Sequence, residues 1–460
     1  MTTSDEPIFG TDGVRGRALE GWLAPAAVEA LGRTAGTVLW REHAADVQPM
    51  ALIAHDGRAS ADALQSALAR GLRAAGLQSS TAGLLPTPGL AWLTASRPVA
   101  LGAMISASHN PAHDNGIKLF AGGGAKLTDA QQAEIEVRLR EEVRNAATGV
   151  EPADGPTHDP SLEGAYVEHL VRLGSAVGAI DLGRVKVVLD CAHGAASRVG
   201  PEVLRSLGAE TTVMHAAPDG SNINDGCGST HAQALQRRVM EASADIGIAL
   251  DGDADRCILV DESGALVDGD AIMTIVARDA AERGLWSDPR IVATVMSNRG
   301  LRRALEPVGV KVLEVGVGDR QVVEGLRREG LALGGEKSGH IVFGDENDYI
   351  GDGLLTALHV LGVVARSGAP LSQLAAPFSP FPQVLIGLEV ASKPALETLE
   401  RFQSLRAEFE SELEPEGRVN VRYSGTEPKA RIMVEGPDEA RIGEIAQILS
   451  AALSEEIASR

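Results

Sequence analysis

Aromatic side chains are scarce, at 3% of 460 residues, so the interior must be built from Ala, Val, Leu and Ile. There are only three cysteines, Cys191, Cys227 and Cys257, widely spaced and without a CxxC pair. No disulfide framework or zinc cluster follows from them. Positive charge is in deficit, with 42 Lys and Arg against 63 Asp and Glu and a formal net charge of −21. Nucleic acids and anionic membranes are drawn to positive fields, so neither is expected as a partner. A small anionic substrate needs only a local basic cleft and stays open. No apolar run approaches the ~20 residues a membrane helix requires. The opening Met1-Thr-Thr-Ser-Asp-Glu-Pro7 is polar and acidic, unlike a secretory signal. The expectation is a soluble, cytoplasmic protein.

What the chain does have is a rhythm of apolar strand, small-residue turn and helix. Ala51–Ala54 leads into His55-Asp-Gly-Arg58 and a helix from about Ser60. Val185–Asp190 leads into Cys191-Ala-His-Gly194, and Ile291–Met296 into Ser297-Asn-Arg-Gly300 and another helix. Such alternation predicts parallel or mixed sheets covered by helices, in about three or four domains at the usual ~100–200 residues each. Asn145 to Asp159, rich in Ala, Gly, Pro and acids, reads as a linker. Ala376-Pro-Phe-Ser-Pro-Phe-Pro382 is too rich in proline for regular structure. Beyond it the pattern changes: a strand near Val384 to Val390, a helix near Pro394 to Glu412, strands flanking Ser424 and a helix from about Ala440. The boundaries expected are 1–158, 159–262 and 263–378 for three α/β domains, and 379–460 for a smaller α+β domain.

The densest chemistry lies in Asp251-Gly-Asp253-Ala-Asp255-Arg256. Carboxylates on alternate residues repel one another unless a divalent cation neutralises them, and the reading favoured is an Mg²⁺ site for phosphate chemistry. An EF-hand is one alternative: Glu262 falls at the twelfth position, but Arg256 occupies the sixth, where the turn needs Gly, and the flanks Ile246–Leu250 and Ile258–Val260 are strand-like. A solvated acidic turn without metal is the other. Ser106-Ala-Ser108-His109-Asn-Pro111 follows the apolar run Val99–Ile105 and precedes Asp114-Asn-Gly-Ile-Lys118. A serine needs a partner to become a nucleophile, and His109, Lys118 and a metal are the candidates. A plain Ser/Asn/Pro turn would have the same composition. Gly334-Gly-Glu336-Lys337-Ser338-Gly-His340 offers sugar-binding groups and, in His340, a general acid or base near neutral pH. It could equally be a glycine-rich hairpin turn. Arg422-Tyr-Ser424-Gly425-Thr426-Glu-Pro428 with Arg431 makes an anion cradle, because guanidinium forks match phosphate oxygens; a turn between strands is the alternative. Phe9-Gly-Thr-Asp-Gly-Val-Arg15-Gly16 suggests a tight, ligand-approaching loop carrying one more such fork. Together these are the parts phosphoryl transfer needs, and their spread along the chain implies a cleft between domains.

On these five motifs, in this order, the whole chain resembles the α-D-phosphohexomutase superfamily. The stretch Pro218-Asp-Gly-Ser-Asn222-Ile-Asn224-Asp-Gly-Cys227-Gly-Ser-Thr230-His231 is similar to the signature of the branch acting on glucosamine phosphates. The resemblance implies a four-domain architecture around a central cleft. It implies a phosphoserine at Ser108, and Mg²⁺ held by Asp251, Asp253, Asp255 and an oxygen on Ser108. The implied reaction interconverts glucosamine 6-phosphate and glucosamine 1-phosphate through a hexose 1,6-bisphosphate, which would also activate the enzyme. Such a reaction would supply UDP-N-acetylglucosamine synthesis. The implied catalytic residues are Ser108, His109, Lys118, Arg15, His340 and Arg256, with Lys118 and His340 carrying protons. Glu336 and Ser338 would hold the sugar, and Arg422, Ser424, Gly425, Thr426 and Arg431 its non-transferring phosphate. A homodimer is among the implied assemblies. Three positions depart from the branch: Lys337 in place of Gln, Tyr423 in place of Lys, and Gly316 in place of a larger residue. Lys337 would repel an ammonium-bearing sugar, which makes glucose or mannose phosphates the alternative substrates.

Overall fold

A computed structural model describes residues 7–10, 12–41, 48–145, 155–179, 182–424 and 428–459. The expected alternation becomes four sheets. In the first, the strands 48–55, 78–84 and 99–105 run parallel because helices 61–74 and 87–96 carry the chain back between them. The antiparallel strands Asp114–Ala121 and Val14–Arg17 then extend one edge. The other edge carries a two-residue strand, Thr157–His158, inside what the composition suggested was linker. The second sheet has strands 246–250 and 257–261 as an antiparallel hairpin, with 246–250 parallel to 186–190. The third places strand 290–294 parallel to 311–315 and 333–335, and closes with the antiparallel strand 341–343. The fourth is a small antiparallel sheet, 383–389, 429–435 and 418–423. Helices Glu400–Leu413 and Glu439–Ala458 belong with it, the expected helix near Pro394 starting later, after a single 3₁₀ turn at Leu396–Thr398.

The first three sheets share one apolar core. Leu52, Leu90 and Met104 from the first region, Tyr166, Leu189 and Ile248 from the second, and Ile291, Leu333 and Phe343 from the third belong to one contiguous cluster of buried residues. Each such side chain withdrawn from water stabilises by about 1.5–3 kcal/mol, so these regions are joined by the force that folds each of them. Tyr166 adds a buried bond, its hydroxyl donating to Asp352 Oδ2 at 2.6 Å, while Asp352 Oδ1 caps helix Gly353–Ser367 by accepting from Leu355 N–H. The C-terminal unit has a separate core built on Phe402, Phe409, Ile432, Ile445 and Leu449. Its attachment is largely polar: Asn298 Nδ2 donates to Phe381 O at 2.9 Å, Arg299 N–H to Glu435 Oε1 at 2.6 Å, and Arg418 to the Ser297 carbonyl. No helix among the described residues is long and apolar enough to cross a membrane.

Candidate active site

Ser108 sits in the turn between strands Val99–Ile105 and Asp114–Ala121, buried and with φ at +51°. Non-glycine residues in that region are uncommon and mark strained, over-determined positions. Its Oγ donates to Asp251 Oδ2 at 2.7 Å, across 143 positions of sequence, and lies 3.3 Å from His109 Nδ1. The acidic loop turns between strands Ile246–Leu250 and Cys257–Asp261, which rules out the two flanking helices of an EF-hand. The strands deliver its carboxylates to the face on which Ser108 opens.

One oxygen from each of Asp251, Asp253 and Asp255 lies within 4.8 Å of the other two. All three residues are buried, and Asp253 Oδ1 and Asp255 Oδ1 have no hydrogen-bond partner. Buried carboxylate oxygens left without donors are costly, and a hard cation satisfies several at once. The donor set therefore fits a divalent metal such as Mg²⁺. Burial, then repulsion from Asp255 and Asp253, pushes the Asp251 carboxyl well above the usual range.

Lys118 answers part of that charge. It lies in an apolar strand between Ile117 and Leu119, yet its Nζ is 2.7 Å from Asp12, 2.8 Å from Asp253 and 3.3 Å from Asp255. Burial works against the ammonium, but these carboxylates outweigh it and hold the pKa well above that of an ordinary lysine. Asp253 Oδ2 also accepts from Thr87 Oγ1 at 2.5 Å. Burial would raise Asp255, but Lys118, His340 and Arg256 reverse this and hold it well below the carboxylate range.

His340 follows the hairpin turn between strands Leu333–Gly335 and Ile341–Phe343, buried, with Nδ1 3.9 Å from Asp255 and Nε2 4.0 Å from Asp319. Burial disfavours its imidazolium, but Asp255 and Asp319 more than compensate and raise its pKa. His109 shifts the other way, lowered first by burial and then by Arg256 and Arg15. Arg15 pairs with Asp12 at 2.9 Å. Arg256 Nε lies 3.9 Å from Asp255, and Glu336 is close enough to contribute to the field at Arg256. Glu336 Oε1 accepts from Gly318 N–H at 3.0 Å, whereas Ser338 is exposed. The structure thus unites Ser108, His109, Lys118, Arg15, Arg256, His340 and the acidic loop, with Glu336 at their margin.

The anion cradle lies apart, on the fourth sheet. Arg422 and Arg431 face each other across strands Arg418–Tyr423 and Lys429–Glu435. Burial and the Arg431 charge lower the pKa of Arg422, so a bound anion would relieve the pair. Ser424 closes the strand, its N–H donating to Lys429 O at 2.8 Å. Gly425 and Thr426 lie outside the described residues.

Four groups at this centre carried no weight in the motifs. Asp12 receives Arg15, Lys118 and Lys126, and Lys126 also pairs with Asp319. Asp12 stands in the glycine-rich N-terminal motif and could have been singled out there. Lys126 and Asp319 have no local signal. Arg58 was visible only as the end of a turn; its guanidinium is buried, pairs with Asp56 at 2.9 Å and donates to the carbonyls of Ser108, Asn110, Pro111 and Asp114.

Comparison with known proteins agrees with this geometry. Models of the phosphoglucomutase/phosphomannomutase family match residues 6–146 (alpha/beta/alpha domain I), 164–264 (domain II), 268–381 (domain III) and 385–452 (C-terminal domain). The chain is 46% identical to a phosphoglucosamine mutase of Symbiobacterium thermophilum over 452 residues, 98% of this chain and 99% of that one. A crystal structure of a phosphoglucomutase/phosphomannomutase family protein from Burkholderia thailandensis superposes with a TM-score of 0.80 at 26% identity, covering 98% of this chain and 97% of that one. An Aspergillus fumigatus N-acetylphosphoglucosamine mutase, solved with GlcNAc-6P and magnesium, shares the fold with a TM-score of 0.65 at 19% identity, covering 98% and 96%.

Proposed function

This chain belongs to the phosphoglucomutase/phosphomannomutase family, and from that premise we propose that it interconverts glucosamine 6-phosphate and glucosamine 1-phosphate. The phosphoryl group passes through Ser108 and a 1,6-bisphosphate that stays bound and turns over. The observation that carries the reaction is the 2.7 Å bond from Ser108 Oγ to Asp251, which makes nucleophile and acidic loop one site. The naming of the 46% identical relative supports the substrate.

Asp251, Asp253 and Asp255, with an oxygen on Ser108, would hold Mg²⁺, whose charge offsets that of the transferring phosphoryl group. As a sugar hydroxyl oxygen bonds to phosphorus, the bond from phosphorus to Ser108 Oγ breaks, and the hydroxyl proton needs an acceptor. His340 serves the sugar side, because Asp255 and Asp319 stabilise it once protonated. His109, 3.3 Å from Ser108 Oγ, takes the serine proton when Ser108 is rephosphorylated and returns it in the reverse step. Lys118, the other expected proton carrier, lies against Asp12, Asp253 and Asp255, which favour its ammonium form, so it also supplies positive charge beside the acidic loop. Arg15 and Arg256 add charge at the rim. Glu336 and Ser338 hold the sugar, and Arg422, Ser424 and Arg431 its distal phosphate. Hexose 1,6-bisphosphate phosphorylates Ser108 when the enzyme has lost its phosphate. Cytoplasmic location, homodimerisation and the boundaries at 158/159, 262/263 and 378/379 belong to the same reading.

Lys337 motivated a neutral-sugar substrate by charge repulsion. Its Nζ donates to Gln383 Oε1 at 3.0 Å, across to the fourth sheet, which directs the ammonium toward an interdomain contact. Turnover of glucosamine 6-phosphate against glucose 6-phosphate and mannose 6-phosphate tests the assignment. A clear preference for either neutral sugar rejects it.

A further inference from the structure

The 218–231 stretch suggests a sugar preference by its sequence, but it docks on the nucleophile. Ala59 N–H donates to Gly220 O at 3.0 Å, and a Cβ on Gly57 would stand 3.4 Å from Pro218. The stretch therefore packs on the Asp56–Arg58 turn. Its far end is pinned in the second sheet's loops, with Asn224 N–H donating to Ala192 O at 2.9 Å and Gly228 N–H to Asp190 Oδ2 at 3.0 Å. Between these anchors the nearly buried Asn224 reaches across the domain boundary, and its Nδ2 donates to Ser108 O at 2.9 Å. The same carbonyl accepts from Arg58 Nη2 at 2.9 Å on the other side. From behind, Gly252 of the acidic loop closes in: a Cβ there would be 2.7 Å from Ser108 O and 2.8 Å from Asn224 Nδ2.

We infer that Asn224 is a positioning residue for phosphoryl transfer: with Arg58 it clamps the Ser108 carbonyl and so holds the left-handed backbone that aims Oγ into the cleft. The physical need is clear. Ser108 carries an unfavourable φ, and strained backbone persists only where its surroundings over-determine it. Its amide donates to Ser106 Oγ at 2.8 Å, and Ser106 Oγ donates to Asp56 Oδ2 at 2.7 Å, so the amide side is fixed within the first domain. The carbonyl side is fixed half by the first domain and half by the second. The domain carrying the acidic loop thus also aligns the nucleophile, and docking of the two domains and readiness of Ser108 become one event.

The inference rests on the phosphoserine reading, and the test separates the two. Asn224→Asp keeps the shape and the tolerance for φ of +58° but replaces the donor with an acceptor. Asn224→Gly removes the donor without backbone strain and serves if the aspartate variant fails to fold. Misplaced reacting atoms cost rate rather than affinity. Both variants, where folded, should lower kcat by about tenfold or more with KM for the sugar phosphate changed less than about twofold. A larger share of the Ser108 phosphate should be lost to water. Unchanged kcat in both variants, or a KM rise that accounts for the whole loss, overturns the inference. If Ser108→Ala retains full activity, the phosphoserine reading itself falls; an inactive Ser108→Ala beside fully active Asn224 variants sinks only the clamp.

Discussion

The region around Ser108 and the Arg422–Arg431 face are built on opposite principles. Around Ser108 the charges are buried and paired many times over: Lys118 meets three carboxylates and Arg58 supplies four carbonyls. This region stands on a core shared by three sheets. At the C-terminal face two half-buried guanidiniums stand opposite each other on a sheet whose core is separate and whose attachment is mostly polar. The first arrangement suits chemistry, where groups must be held in place before reaction. The second, with two guanidiniums brought opposite each other on a separate core, suits the distal-phosphate role proposed for it, because guanidinium forks match phosphate oxygens.

The widest break in that comparison is expected from Ser108→Ala. Removing a nucleophile costs about four orders of magnitude or more in kcat, with folding left intact, as mutase assays and thermal melts will check. Lys118→Met comes next. It strands Asp12, Asp253 and Asp255 without their shared cation, and breaking a buried ionic group costs about 3–5 kcal/mol. Denaturant titration should show that loss, partly recovered on adding Mg²⁺. Arg422→Ala marks the contrast: KM should rise about tenfold while stability stays near the parent's. An equal loss of stability there would show the two regions to be built alike.

A pH series sharpens the comparison from the side of the buried core. Burial, then Asp268, pushes Asp270 up to about 7, and burial pushes Asp352 up to about 6. Both carboxyls bind protons more tightly folded than unfolded, where about 3.9 is usual. Stability from these two groups is therefore greatest at low pH and falls as pH rises from about 4 through about 7. Asp270→Asn, which cannot ionise, should gain in unfolding temperature relative to the parent as pH goes from 5 to 8. A difference that stays flat would contradict the shift. The smallest effect is expected from Lys337→Gln. Its ammonium serves Gln383, so the ratio of kcat/KM for glucosamine 6-phosphate over glucose 6-phosphate should move by less than about threefold, within the worth of one exposed charge contact.

Much of this was legible in the sequence, for physical reasons that also mark where reading stops. Strands such as Ile246–Leu250 announce themselves because a buried strand needs an apolar run and a hard turn after it. Ser108 and the acidic loop are legible because their chemistry is local. Thr157–His158 was missed because two residues at a sheet edge carry no pattern. Arg58, Lys126, Asp319 and Asn224 were missed as site residues because their partners lie far off in sequence. The Asn224–Ser108 bond spans 116 positions and Lys126–Asp319 spans 193. Lys118 shows the one signal that could have been pressed harder: a lysine inside a buried apolar strand must have anions waiting for it.

The central claim is that Ser108 and the acidic loop form a single phosphoryl-transfer site. Its most direct test is peptide mass spectrometry after mixing dephosphorylated enzyme with glucosamine 1,6-bisphosphate and Mg²⁺. The account predicts one phosphate on Ser108, formed together with glucosamine monophosphate and absent when Asp251, Asp253 and Asp255 are all changed to Asn. Phosphate on another residue, or undiminished phosphorylation of Ser108 in that triple variant, would contradict it.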